Sequence, residues 1–141
     1  NHHVFLSDYG HHPKEILQSA KSLKELYGNR KVTVIFQPHL YTRTRDFYKE
    51  FADALSHFDE VILTEIYPAR EEPIPGVTSA LIYENLRKGI EKQMIKKDDV
   101  LDFVRSRDFD VLVVLAGSAE KFNSVVELKT VSVAFPFFST S

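Results

Sequence analysis

Cysteine and tryptophan are absent from these 141 residues, and methionine occurs once. Without thiols there can be no disulfide, no thiolate metal site and no cysteine nucleophile, and the absence suits a reducing compartment such as the cytosol. Glycine is scarce: Gly10, Gly28, Gly76, Gly89 and Gly117 are the full set, and neither GxxxxGK nor GxGxxG can be drawn through them. The usual phosphate cradles are therefore missing, as is the GxSxG elbow of one class of serine hydrolases. Neither charge dominates. With 18 Lys+Arg against 20 Asp+Glu the formal net charge is -2, too little positive field to hold nucleic acid or an anionic membrane non-specifically. No apolar run approaches the ~20 residues of a membrane span, and no secretory signal pattern opens the chain.

What is present fits one globular domain. Hydrophobic residues make up 43% and charged residues 27% of the chain, a balance that lets one core form at this length. Apolar runs alternate with amphipathic ones. Val4–Leu6 is followed by Pro13 at a first helical turn, then by Ile16, Leu17, Ala20, Leu23, Leu26 and Tyr27 at helical spacing, with Gly28-Asn29 as the stop. Val32–Phe36 reads as a buried strand, and Phe47, Phe51, Ala54, Leu55 and Phe58 form a second helical stripe. Val61–Ile66 is again strand-like, Tyr67–Thr78 a proline-rich loop, Ser79–Lys88 helical, and Asp98-Asp99 caps a helix carrying Val100, Leu101, Phe103 and Val104. Val111–Leu115 is an unbroken apolar strand.

This order predicts an α/β fold: a Rossmann-like, mostly parallel sheet with helices on both faces and right-handed crossovers, in a single domain. Val125-Val126, Val131–Phe135 and Phe137-Phe138 suggest a terminal hairpin, which Pro136 restricts to a sheet edge.

Polar clusters sit just after three of the expected strands. They are Asp8-Tyr9-Gly10-His11-His12-Pro13, then Gln37-Pro38-His39-Leu40-Tyr41-Thr42-Arg43-Thr44-Arg45, then the loop holding Arg70, Glu71 and Glu72. In an open α/β sheet the carboxyl ends of the strands line one crevice, so three loops distant in sequence can converge there. The histidines of the first cluster can serve a polar substrate or simply cap the helix that begins near Pro13. Arg43 offers a planar fork suited to a carboxylate or phosphate, with His39 and Tyr41 within five residues. Arg45 and Asp46 read better as surface charges at a helix start. His57 reads as a solvated residue near a helix end, and nothing is assigned to His2 or His3. Glu71 and Glu72, between prolines, can bind Mg²⁺, do acid–base work or stay solvated, and spacing does not decide among these.

Taken together, the three clusters resemble the C-terminal domain of the Mur ligase family over about residues 4–115 of the 1–141 domain, leaving 123–141 unassigned. The Tyr-Gly-His-His-Pro form favours the member that joins L-alanine to UDP-N-acetylmuramate in peptidoglycan synthesis. The resemblance implies a cytoplasmic, ATP-dependent ligase of three domains, of which only the amino-acid-binding, ATP-site-closing one is here. The UDP-substrate domain and the central P-loop domain, which would hold most of the ATP and Mg²⁺, are its implied partners, and without them this chain should not turn over. By position, Tyr9, His11, His39 and Arg43 resemble the residues enclosing the alanine, and Asp8 the acid on the ATP side of the cleft; no catalytic residue and no protein-ligated metal is implied. Ser7 stands where many relatives have aspartate, and Leu40 where some have arginine.

Three other readings compete. One is the related ligase that reattaches recycled murein peptide to the same sugar nucleotide. A second is a metal-dependent hydrolase using His11, His12 and His39, although adjacent histidines rarely share one ion. The third is a binding module without chemistry.

Overall fold

The strongest β-formers of the chain pair into one sheet. The computed structural model describes residues 3–7, 12–116 and 133–134. In chain order these form β1 (His3–Ser7), α1 (Pro13–Leu26), β2 (Val32–Gln37), α2 (Tyr41–Leu55), β3 (Glu60–Leu63), α3 (Ala80–Asn85), β4 (Glu91–Met94), α4 (Val100–Arg105), β5 (Val111–Ala116) and β6 (Val133–Ala134). The strand order is β4-β3-β2-β5-β1-β6, and every pairing among the described residues is parallel. All residues of β2 and β5 are buried, as expected of central strands covered on both faces.

The pleat divides those strands between two cores. Val34 and Phe36 of β2 join Val113 and Leu115 of β5 beneath α1, α2 and α3, which contribute Ile16, Leu23, Phe51, Leu55 and Ile82. Ile35, Leu112 and Val114 face the other way and pack against Val100 and Val104 of α4. Helices thus cover both faces, as the alternating pattern requires.

Several local readings change. Leu26 and Phe47 are exposed: with Ile16, Ala20, Leu23 and Tyr27 on the inner stripe of α1, Leu26 comes round to solvent. β3 ends at Leu63 rather than Ile66, and α3 is shorter than Ser79–Lys88. Asp98 and Asp99 lie in a 3-10 turn, Lys97–Asp99, and Asp99 makes no side-chain cap to α4. β4 interrupts the expected order. Its sequence Glu-Lys-Gln-Met is largely exposed and has no hydrophobic alternation, so only its backbone pairing with β3 defines it. The turn before it is tight because Gly89 adopts φ 85°, a conformation that costs glycine nothing. At the other edge, Val133–Ala134 pairs parallel to β1. The edge position agrees with expectation. The remainder of that stretch lies outside the described residues.

Charges fasten the end of the sheet opposite the loops discussed below. The Glu60 carboxylate is buried and receives Arg107 at 3.1 and 2.9 Å and the Thr33 hydroxyl at 3.0 Å. The Arg107 guanidinium lies over the rings of Phe103 and Phe109, 5.0 and 4.9 Å from their centroids. Asp59 accepts from Lys24 of α1 at 2.8 Å and from the Val32 amide at 2.8 Å, joining α1 to the starts of β2 and β3.

Candidate functional site

Parallel register gathers the loops. Ser7 lies beside Leu115, Gln37 beside Ala116 and Phe36 beside Leu63, so β1, β2, β3 and β5 end on one rim. The loops after β1, β2 and β3 all leave from it.

The loop after β2 is the best defined. Its backbone stays tied to the loop after β3: the Tyr67 amide donates to the Pro38 carbonyl at 2.8 Å, and the Leu40 amide to the Tyr67 carbonyl at 2.9 Å. The His39 and Tyr67 rings stack at 5.6 Å. Leu40 then takes φ 75°, which costs a residue with a Cβ about 1–3 kcal/mol and persists only when its surroundings enforce it. α2 begins at the next residue. Leu40 has no polar side chain with which to cap it, and the cap comes from the loop after β3. Glu71 accepts from the Tyr41 amide at 2.6 Å and the Thr42 amide at 3.1 Å, and the Thr42 hydroxyl donates to its other oxygen. These bonds, led by the Thr42 hydroxyl, hold the Glu71 carboxyl below the ordinary carboxylate range.

Arg43 follows within the first turn of α2. It is half-buried and has no ion pair or hydrogen bond among the described residues. Its charge reaches His39: burial first, and then Arg43, lowers the His39 pKa from its ordinary value of 6.5, with Glu71 opposing. At neutral pH the imidazole is therefore uncharged. A half-buried cation with no anion among the described residues and a neutral imidazole at one mouth suit a small molecule bearing a carboxylate. Arg45 instead pairs with its neighbour Asp46 at 2.9 Å on the exposed surface. Tyr41 helps to line a cavity of about 400 Å³ with apolar residues such as Ile66, Val77 and Ile95 and polar ones such as Glu65 and Lys96.

The first cluster is only partly described. Asp8, Tyr9 and His11 lie outside the described residues, as does Gly117. His12 is the N-cap of α1: its Nδ1 accepts from the Lys14 amide at 3.2 Å, and Glu15 reaches back to the His12 amide at 3.4 Å. One nitrogen of His12 thus serves the helix, the capping alternative of the two considered for the histidines. Among the described residues no three His, Asp or Glu side chains gather as a metal-binding group. The His12 ring lies 6.0 Å from Phe47, one helical turn beyond Arg43, so the start of α1 lies on the same side of the sheet as the start of α2. His57 is exposed, just past the end of α2.

Fold and rim define an α/β domain that presents a cation and a neutral imidazole at the carboxyl ends of parallel strands. The chain belongs to the Mur ligase family: the family model described as Mur ligase, glutamate ligase domain, matches residues 1–121. It is 62% identical over 120 residues to the UDP-N-acetylmuramate–L-alanine ligase of Phocaeicola vulgatus, covering 84% of this chain and 26% of that protein. It is 43% identical over 126 residues to the enzyme of the same name from Porphyromonas gingivalis, covering 89% and 27%. Among solved structures, the UDP-N-acetylmuramate-alanine ligase of Thermotoga maritima superposes with a TM-score of 0.62 at 28% identity, over 89% of this chain and 26% of that one. A murein peptide ligase from Psychrobacter arcticus shares the fold, with a TM-score of 0.64 at 14% identity over 92% and 28%. The chain spans about a quarter of the length of the curated relatives it matches.

Glu71 is the residue whose part the sequence left undecided. A signal for it exists: α2 starts after Leu40, with no Ser, Thr, Asp or Asn at the cap position, and a buried helix start must find an acceptor elsewhere.

Proposed function

We propose that this chain is the amino-acid-binding domain of a ligase that joins L-alanine to UDP-N-acetylmuramate, and that it closes over an ATP site built by other domains of the same enzyme, in the cytoplasm. One observation carries the reading: Arg43, a half-buried guanidinium with no anion among the described residues, stands at the rim beside neutral His39, in a chain similar to enzymes of that name at up to 62% identity. Arg43 would fork onto the alanine carboxylate through two N–H groups. His39, uncharged, would hydrogen-bond without repelling or protonating the amine. Tyr9 and His11 would wall the small side chain, and Asp8 would face the nucleotide.

The ligation this implies starts when ATP phosphorylates the muramoyl carboxylate. The alanine nitrogen then attacks the acyl carbon, the C–N bond forms, phosphate leaves and the nitrogen loses a proton. This domain contributes position: it brings a bound amine to the acyl carbon and excludes water from it. Glu71 is taken up by the start of α2 and is not free to hold a magnesium ion. Mg²⁺ and most of the ATP contacts would belong to the other domains.

Steady-state kinetics of the full-length protein test the reading. Arg43→Ala should raise the alanine KM by about a hundredfold, the effect of removing a charge-assisted bidentate contact, while the KM values for ATP and the sugar nucleotide change little. An unchanged alanine KM would remove Arg43 from the site. The peptide-reattaching alternative predicts instead that the full-length protein uses a murein tripeptide and ignores free alanine.

A further inference from the structure

Glu71 and Glu72 are adjacent acids with different surroundings. Glu72 is exposed, whereas Glu71 binds the first amides of α2 across a separation of 30 residues. We infer that Glu71 is a positioning residue for the Arg43 site, holding the loop after β2 in the conformation that sets Arg43 beside His39. This rests on the reading of Arg43 as the carboxylate-binding group.

Three observations support it. The turn into α2 is strained at Leu40, and its own sequence supplies no cap. The backbone bonds with Tyr67 anchor the turn before Leu40 and at Leu40 itself; among the described residues it is Glu71 that takes the amides of the two residues after it, Tyr41 and Thr42, immediately before Arg43. Glu71 is itself held by a second tight turn. Its amide donates to the Pro68 carbonyl at 2.9 Å, and Ala69 within that turn has φ 56°. Two strained turns from different loops therefore brace each other through one carboxylate.

Occupancy matters as much as geometry. With its first amides unbonded, a helix N-terminus attracts any carboxylate. Glu71 fills the Tyr41 and Thr42 donors, so an incoming amino acid finds Arg43 as its partner rather than the helix end. The same carboxylate opposes the effect of Arg43 on His39, tuning the imidazole as well as placing it.

The test uses the full-length protein with Glu71→Ala, Glu71→Gln, Glu72→Ala and Arg43→Ala. Glu71→Ala should raise the alanine KM about tenfold with kcat at saturating alanine within about twofold, the signature of lost binding geometry rather than lost chemistry. Glu71→Gln keeps an oxygen that can accept from both amides and should restore most of the affinity; Glu72→Ala should behave as wild type. Hydrogen exchange of the Tyr41 and Thr42 amides should accelerate in Glu71→Ala while the amides of β2 and β5 stay protected. If Glu71→Ala does not fold, Glu71→Asp, one methylene too short to span the gap, carries the same two measurements. An alanine KM unchanged in Glu71→Ala, or a fall in kcat with KM constant, overturns the inference. Should Arg43→Ala also leave KM unchanged, it is the functional reading that fails, and fast exchange at Tyr41 and Thr42 would still show Glu71 capping the helix.

Discussion

Arg43 and His39 influence each other through charge, which can be measured without substrate. Burial and the Arg43 guanidinium both lower the His39 pKa, and Glu71 raises it. Arg43→Met should therefore move the His39 titration upward and Glu71→Gln downward, read from imidazole proton shifts; movement of neither would separate the three groups. The stability effect has the matching sign. Because the folded pKa lies below the unfolded one, the contribution of His39 is complete above the unfolded value near 6.5 and declines as pH falls through the folded value. A second residue-scale test concerns Ala69, exposed and at φ 56°. Ala69→Gly should stabilise the protein by about 0.5–1 kcal/mol, because glycine accepts that conformation without the Cβ clash and the gain exceeds its added unfolded entropy; urea unfolding measures it, and a loss of stability would contradict the assignment of strain. Legibility at this scale was uneven. Arg43 and His39 could be named as candidates because side-chain chemistry is local, and the surface placement of Arg45 and Asp46 could be foreseen from their position at a helix start. For Glu71 the uncapped residue Leu40 signals only that some acceptor is needed, because the fold alone brings Glu71 to that helix start.

Among the elements, burial decided what could be read in advance. Val32–Phe36 and Val111–Leu115 nearly coincide with β2 and β5, since strands buried on both faces must be continuously apolar. β4 escaped because an exposed edge strand is defined by backbone bonds and carries no pattern. Leu26 and Phe47 were over-read because the buried arc of each helix is narrower than its apolar stripe, so that residues at the margin turn to solvent while Tyr27, Tyr48 and Phe51 face the core. The clamp at Glu60 joins β2, β3 and the segment entering β5. Glu60 loses solvent on burial, which would raise its pKa, yet Arg107, Thr33 and Lys31 outweigh this and the net shift is downward. Its stabilising effect is therefore full above the unfolded carboxylate pKa and is lost as pH falls through the lower folded value. Arg107→Ala should cost about 3 kcal/mol at pH 7, since it leaves a buried carboxylate without its bidentate partner; Glu60→Gln should flatten the acid limb of the stability profile. An Arg107→Ala protein as stable as wild type at pH 7 would show that the clamp is idle.

For the molecule as a whole, the alternation of strand and helix was enough to foresee a parallel sheet whose strands end on one rim, because connection rules leave few other arrangements. Family membership then gave the rim its meaning, since a charged mouth alone does not name its ligand. No helix among the described residues is long and apolar enough to cross a membrane. The domain described here lacks a phosphate cradle, so these 141 residues alone should show no ATP-dependent ligation, and the full-length protein should. The claim on which the rest depends is that the Arg43 charge meets the carboxylate of the incoming amino acid. It is tested most directly by measuring kcat/KM for L-alanine and for L-alaninamide, which lacks that charge, in the full-length protein with Arg43 and with Arg43→Met. The account predicts that the wild-type protein prefers alanine by about a hundredfold or more and that the variant discriminates hardly at all, through loss of activity on alanine alone. A variant that kept the full preference would contradict it.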